Sequence, residues 1–103
     1  MKIALVQMDV VHGQPVENKK HVIEMLERAL DDNPDVIVLP EMWNTGYALN
    51  ELDGLADKDG LDSQELLSHF AREYAVAIIG GSVAIEKDGK FYNTTYVYNK
   101  SGD

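Results

Sequence analysis

The chain has 103 residues, 45% hydrophobic and 26% charged, which predicts one folded domain that buries roughly 65% of the surface exposed by its unfolded form. Its net charge of −9 opposes binding to nucleic acids and anionic membranes, and the lack of cysteine excludes disulfides and a cysteine nucleophile within these residues. No apolar run approaches the roughly 20 residues that span a bilayer, or the length of a signal peptide's apolar region, so we expect a soluble cytoplasmic protein.

The first part of the chain predicts a strand, a helix and a second strand. Residues 3–8 form an apolar run, and apolar residues recur at helical spacing over residues 15–30, with Pro15 in the first turn. Residues 36–39 are wholly apolar, which is typical of a strand covered on both faces. Pro40 cannot donate a hydrogen bond to a neighbouring strand, so the second strand ends there and completes a βαβ unit.

An acidic, turn-rich stretch and a second helix follow. Residues 50–60 are interpreted as a loop with one short helical turn. Asp62 and Glu65 have the spacing of a capping box and predict the start of the helix, which should end near Tyr74. We therefore expect two helices, each next to a buried strand.

The remaining residues predict two more strands. Residues 76–85 form an apolar strand interrupted by Gly80-Gly81, and residues 91–98 alternate as a second strand. Asp88-Gly89 between them supplies the positive φ of a type I′ hairpin turn. The predicted order is β-α-β-α-β-β, an α/β class. Two helices do not cover four strands, so we expect the front part of a larger domain.

The best candidate for a chemical role is Glu41, directly after the second strand. In open α/β sheets, ligands meet groups just past the carboxyl ends of the strands. The rings of Trp43 and Tyr47 would line a pocket and desolvate the carboxylate, which suits a general base. The alternative is that Glu41 is an ordinary solvated carboxylate and that the two rings are packing residues.

Histidines and loop acids give no metal site. His12, His21 and His69 have no second histidine three or four residues away, so zinc binding is not predicted. Residues 57–60 resemble part of a calcium loop. With Gly60 at the sixth position, however, leucines occupy the first and twelfth positions, where oxygen ligands are required. These acids are interpreted as a solvated loop.

Two further features are interpreted as structural. Ser82 lies outside any G-x-S-x-G elbow, and the preceding Gly80-Gly81 allows the strand to bend or another backbone to approach closely. Asn93, flanked by aromatic residues, is predicted to be a buried hydrogen-bonding residue that fixes a neighbouring loop.

Residues 39–47, reading Leu-Pro-Glu-Met-Trp-Asn-Thr-Gly-Tyr, resemble the first signature of the nitrilase, or carbon-nitrogen hydrolase, superfamily. The opening strand, the Asp-Val-Ile-Val at 35–38, the Ile-Gly-Gly-Ser at 79–82 and the Phe-Tyr-Asn-Thr at 91–94 agree, so the resemblance covers essentially the whole chain. The loop is most similar to the amidase branch that includes the ω-amidases, which act on monoamides of 2-oxo-dicarboxylic acids.

The resemblance implies a four-layer αββα sandwich, with residues 1–103 as the N-terminal portion of one carbon-nitrogen hydrolase domain. It implies a Glu-Lys-Cys triad that hydrolyses non-peptide C–N bonds. Glu41 matches the general base, a cysteine would attack the amide carbon, and a lysine would stabilise the developing oxyanion. It also implies a small-molecule amide substrate, no metal or organic cofactor, and a homo-oligomeric complete enzyme.

The sequence departs from the family pattern at the lysine and the cysteine. No cysteine is present, and Lys100 lacks the surrounding motif of the family's lysine. We therefore expect an amino-terminal portion of the enzyme that is inactive alone. The alternative is a non-catalytic half-domain, an interaction module that retains the scaffold and pairs with another chain to cover its sheet.

Overall fold

A computed structural model describes residues 1–103 as two helices and two small sheets. The elements in chain order are β1 (Ile3–Leu5), α1 (Pro15–Leu30), β2 (Val36–Val38), a 3₁₀ turn (Leu49–Glu51), β3 (Asp57–Lys58), α2 (Leu61–Tyr74), β4 (Ala77–Ile79), β5 (Val83–Lys87), β6 (Lys90–Thr94) and β7 (Val97–Tyr98).

The larger sheet has the strand order β1-β2-β4-β7. The first three strands are parallel, and β7 runs antiparallel to β4. Parallel strands need a crossover connection, and α1 and α2 supply it between successive strands. This arrangement confirms the predicted α/β class and the βαβ unit. Neither helix is long and apolar enough to cross a lipid bilayer.

The smaller sheet has the order β3-β5-β6 and contains the predicted hairpin. β5 and β6 are antiparallel, and the last residue pair before the turn is Lys87 with Lys90. Asp88 and Gly89 have φ values of 52° and 77°, the left-handed conformation that a type I′ turn requires at both positions. The hairpin prediction is confirmed.

Both helices pack on one face of the larger sheet. Ile37 and Ile78 are paired neighbours on this face, and both are completely buried. They share one apolar cluster with residues of the two helices: Val22, Leu26, Leu67, Phe70 and Ala71. Full burial of such a side chain contributes about 1.5–3 kcal/mol, so this face is the main source of stability.

The opposite face of the same sheet is open. Strand pairing places Leu5, Val38, Ile79 and Val97 in one row across the sheet. Leu5 is 71% exposed and Val97 62% exposed. The expectation that the sheet is short of cover is confirmed, whereas the prediction that β1 is buried is wrong for this face. We call the row and its neighbours Ile3, Val36 and Ala77 the open sheet face.

Two predicted strands each divide between the two sheets. Residues 76–85 form β4 in the larger sheet and β5 in the smaller one, because Gly80-Gly81 turns the chain between them. Residues 91–98 divide in the same way into β6 and β7. The predicted single strands were wrong because a change of sheet depends on contacts distant in sequence, such as the Gly80 N–H donated to the Tyr96 carbonyl at 2.8 Å.

The start of α2 also differs from the prediction. The predicted capping box does not form, and Gly60 is the N-cap residue. The carboxylate of Asp57 accepts the N–H groups of Asp62 and Ser63 at 3.2 and 2.8 Å. Asp57 therefore satisfies the helix N-terminus from the preceding strand, a partner that local sequence spacing does not reveal.

Candidate active site

The loop that follows β2, residues 41–47, is a series of tight turns at the carboxyl edge of the larger sheet. Met42 has a φ of 51°, in the left-handed region that non-glycine residues rarely adopt. The Gly46 N–H donates to the Met42 carbonyl at 2.8 Å, which closes the first turn. The chain thus reverses immediately after Glu41, so this side chain stands at the entrance of the loop.

Glu41 and Tyr47 meet at the surface of this loop. The Tyr47 hydroxyl donates a hydrogen bond to Glu41 Oε1, and both residues are exposed. This hydrogen bond, together with partial burial and the charge of Glu41, raises the pKa of Tyr47. Tyr47 is thus a neutral donor to a carboxylate acceptor, and it leaves the second carboxylate oxygen of Glu41 open to another group.

Trp43 lies on the other side of the loop from this pair. Its ring is 2% exposed and belongs to the hydrophobic core, and its indole N–H donates to the Gly80 carbonyl at 3.0 Å. Tyr47, by contrast, is 63% exposed. Within residues 1–103 the two rings do not enclose Glu41, which is exposed, so the predicted desolvation of its carboxylate is not observed. The pocket-lining roles of Trp43 and Tyr47 stay predictions.

Ser82 fastens the entrance of the loop to the second sheet. Its Oγ accepts the Met42 N–H at 2.9 Å, and its carbonyl accepts the Trp43 N–H at 3.1 Å. Its own N–H donates to the Pro40 carbonyl at 3.2 Å. The preceding Gly81 has a φ of 61°, and a Cβ there would lie 2.0 Å from the Pro40 oxygen. The predicted close approach of another backbone to these glycines is confirmed.

Asn44 fastens the middle of the loop and was missed by the sequence analysis. Its amide donates to the Ala84 carbonyl, and its Oδ1 accepts the Ala84 and Thr45 N–H groups, all at 2.9 Å. Asn93, which the sequence predicted for such a role, is exposed on β6, so that prediction is wrong. The asparagine that fixes the loop is in the loop itself.

Asn18 joins the same network from α1. Its amide donates to the carbonyls of Val11 and Asn44 at 2.8 Å, and its Oδ1 accepts the Val11 N–H at 2.7 Å. Asn18 is completely buried and lies in line with Val22 and Leu26 on the apolar side of α1. A polar residue within an apolar helical stripe was the sequence signal for this contact.

The other chemical candidates lie apart from Glu41. Lys100 is 4.0 Å from Asp35, which precedes β2, whereas Glu41 follows β2, so the two are at opposite ends of the strand. Lys100 is therefore not placed to act with Glu41. His21 is paired with Glu17 at 3.6 Å, and no group of three or more histidine or acidic side chains is arranged to hold a metal ion.

Comparison with known proteins gives concordant matches along the chain. The family model described as carbon-nitrogen hydrolase matches residues 2–103. The chain is 43% identical over 100 residues to the 2-oxoglutaramate amidase of Bacillus subtilis, covering 97% of this chain and 38% of that protein. It is 33% identical over 101 residues to the omega-amidase NIT2-B of Xenopus laevis, covering 98% and 36%.

Comparison of the fold with solved structures agrees with the sequence matches. Nit3 of Saccharomyces cerevisiae, a member of branch 10 of the nitrilase superfamily, matches with a TM-score of 0.85 and 25% identity, over 100% of this chain and 41% of that one. The chain thus spans about two fifths of the length of these relatives. The α/β arrangement described above is that of part of the nitrilase fold. Because the family match extends over nearly every residue, the chain belongs to the carbon-nitrogen hydrolase family.

Proposed function

We propose that this protein functions in the hydrolysis of a small-molecule amide, with Glu41 as the general base. The observation that carries the proposal is the position of Glu41: an exposed carboxylate at the carboxyl end of a parallel strand, on a loop fixed by buried hydrogen bonds. Membership of a family of C–N hydrolases supports a catalytic role for this carboxylate. A base on a rigid element keeps the geometry that proton transfer requires.

In the proposed reaction, Glu41 takes the proton of a cysteine thiol, and the thiolate attacks the amide carbon. A lysine ammonium stabilises the negative charge that develops on the oxygen. The proton returns to the leaving nitrogen, so ammonia departs and a thioester remains. Glu41 then takes a proton from water, and the resulting hydroxide attacks the thioester carbon. The C–S bond breaks, the carboxylic acid leaves, and the proton held by Glu41 returns to the cysteine thiolate. Tyr47 occupies one oxygen of Glu41 throughout, and the other oxygen exchanges the proton.

The cysteine and the lysine of this mechanism lie outside residues 1–103, which contain no cysteine. We therefore propose that these residues form the N-terminal portion of the catalytic domain and are inactive alone. The complete enzyme would be a homo-oligomer, as the family resemblance implies. Tyr47 would border the substrate pocket once the remaining residues close it, and Trp43 would support that border from below.

The proposed substrate class is the monoamide of a 2-oxo-dicarboxylic acid. The support is the name of two relatives, a 2-oxoglutaramate amidase and an omega-amidase, each at least 33% identical to this chain. Glu41 would serve any amide of suitable size, so the choice of acyl group depends on residues that contact the far carboxylate.

Ammonia release from 2-oxoglutaramate tests this function. We expect turnover from a polypeptide in which residues 1–103 are continued by the lysine and cysteine motifs, and none from residues 1–103 alone. Simple aliphatic amides are the comparison substrates and should react more slowly. Turnover by purified residues 1–103, or hydrolysis restricted to simple amides by the continued polypeptide, would contradict the proposal.

The open sheet face favours a second candidate, a non-catalytic interaction module whose sheet is covered by another chain. Leu5, Ile79 and Val97 are exposed there, and a contiguous apolar face of this kind normally marks an interface. Light scattering on residues 1–103 distinguishes the cases in combination with the ammonia assay. Association that Leu5→Lys abolishes, with no hydrolysis in any polypeptide context, would support the module and contradict the enzyme.

A further inference from the structure

The backbone at Met42 is in an unfavourable conformation. Its φ of 51° places a buried, non-glycine residue in the left-handed region, where Cβ crowds the backbone. Residues in such conformations persist only where the surroundings hold them, and they cluster at functional sites. Met42 directly follows Glu41, so whatever holds Met42 also sets the direction in which Glu41 leaves the strand.

The hydroxyl of Ser82 holds the N–H side of Met42, and the Gly46 N–H holds its carbonyl. The Met42 N–H donates to Ser82 Oγ at 2.9 Å, and this contact is buried. Ser82 is itself 6% exposed, and its position is fixed by its backbone bonds to Pro40 and Trp43. Ser82 Oγ is thus an acceptor in a fixed position, and it binds the N–H of the residue with the strained backbone.

We propose that Ser82 is a positioning residue for Glu41: its hydroxyl fixes Met42 in the left-handed conformation and so keeps the Glu41 carboxylate within reach of the Tyr47 hydroxyl. The chemical purpose of this arrangement rests on the function proposed for Glu41. The geometric role does not, since it concerns only where the carboxylate lies.

The neighbouring contacts explain why the effect reaches Glu41. Upstream, the Leu39 N–H donates to the Ile79 carbonyl at 3.0 Å, which fixes the end of β2. Downstream, Trp43 and Asn44 are held by their own buried hydrogen bonds. Glu41 has no such anchor apart from Tyr47. If Met42 relaxes, the displacement therefore falls on Glu41.

The experiment measures where Glu41 lies without using activity. The hydrogen bond and charge of Glu41 raise the pKa of Tyr47, so the titration of Tyr47, followed by NMR with ¹³C-labelled tyrosine, reports whether the two side chains remain in contact. The Glu41→Gln variant provides the reference titration of Tyr47 in the absence of its charged partner. Tyr98 is the internal reference, because burial rather than Glu41 raises its pKa.

We expect Ser82→Ala to lower the pKa of Tyr47 to the value found in Glu41→Gln and to leave Tyr98 unchanged. Hydrogen exchange at the Met42 amide should become about ten- to a hundredfold faster, because a buried N–H loses its acceptor. Ser82→Thr retains the hydroxyl and should restore both readouts. Ser63→Ala, which truncates another buried serine, is the matched control and should change neither.

If Ser82→Ala does not fold, Ser82→Cys fills the same position with a larger and weaker acceptor, and it should shift the pKa of Tyr47 in the same direction. A Tyr47 titration unchanged in a folded Ser82→Ala or Ser82→Cys variant would overturn the positioning role. Another result would overturn the proposed function alone. In that case Glu41→Gln would leave hydrolysis by the complete enzyme intact, while Ser82→Ala would still lower the pKa of Tyr47.

Discussion

The base and the rim of the loop at residues 41–47 differ in how they are held. The base consists of Met42, Trp43 and Asn44, which are buried and bonded to β5 and to the turn before it, and of Thr45, which is buried and bonded to Asn44. The rim consists of Glu41 and Tyr47, which are exposed and bonded to each other. Every buried side-chain polar atom in the protein has a hydrogen-bond partner. The loop thus separates the residues that maintain its shape from those available for chemistry.

This difference predicts how substitutions will behave. A change in the base leaves buried polar groups without partners, which is expensive in the interior. A change in the rim returns side chains to water at little cost in stability. Substitutions in the base should therefore lower the free energy of unfolding more than substitutions in the rim, and substitutions in the rim should have the larger effect on any reaction.

The largest effect on stability is expected from Asn44→Ala. It removes the partners of both backbone groups of Ala84 and of the Thr45 N–H, so the free energy of unfolding should fall by about 3 kcal/mol. Urea denaturation followed by circular dichroism measures this. Asn93→Ala, on an exposed strand, is the control and should change stability by less than about 0.5 kcal/mol. Equal losses in the two variants would contradict a specially held base.

A smaller loss is expected from Trp43→Phe. The substitution keeps an aromatic ring in the core but removes the indole N–H that the Gly80 carbonyl accepts, so the loss should be about 1–2 kcal/mol. The same denaturation experiment measures it. Tyr92→Phe removes a hydroxyl from an exposed ring and should be neutral. A neutral Trp43→Phe would show that this indole contact does not support the loop.

The pH dependence of stability tests the two half-buried tyrosines, Tyr96 and Tyr98. Burial raises the pKa of Tyr96 and Tyr98 above the ordinary value of 10.0, so the folded protein keeps protons that the unfolded chain releases near pH 10. Their contribution is fully present below pH 10 and is lost as the pH rises above it. Tyrosine side chains ionise at about pH 10, so urea denaturation between about pH 8 and 11 should show this decline. Tyr98→Phe should reduce its slope, and an unchanged slope would contradict the effect of burial.

The smallest effect on stability is expected from Glu41→Gln. The free energy of unfolding should change by less than about 0.5 kcal/mol, because the side chain is exposed. The same substitution should lower the pKa of Tyr47 toward its ordinary value, since the hydrogen bond and the charge of Glu41 raise it. Tyrosine NMR titration measures the shift. A large loss of stability would place Glu41 in the base of the loop rather than in its rim.

Local sequence signals predicted the elements whose physics is local. The apolar spacing and Pro15 gave the bounds of α1, and Asp88-Gly89 gave the hairpin turn. Pro40 at the end of an apolar run gave the position of Glu41 at the carboxyl edge of the sheet. In each case the deciding interactions lie within a few residues of one another.

Contacts between distant residues were not predictable in this way. Residues 76–85 were expected to form one strand interrupted by Gly80-Gly81, yet they form strands of two different sheets that separate at Gly81, where the Pro40 backbone approaches. Asn44 contacts Ala84, 40 residues away, and no local pattern marks that pairing. The open sheet face is a different case, since two helices for four strands already predicted that the sheet is short of cover.

The central claim, that Glu41 is the general base, is tested most directly by the rate of the first ammonia release from 2-oxoglutaramate. The measurement uses rapid mixing and the polypeptide that includes the lysine and the cysteine. We predict that Glu41→Gln slows this step by about 10²- to 10⁴-fold, the usual contribution of a general base, while Glu65→Gln on α2 leaves it unchanged. A first release as fast in Glu41→Gln as in the unaltered protein would contradict the account.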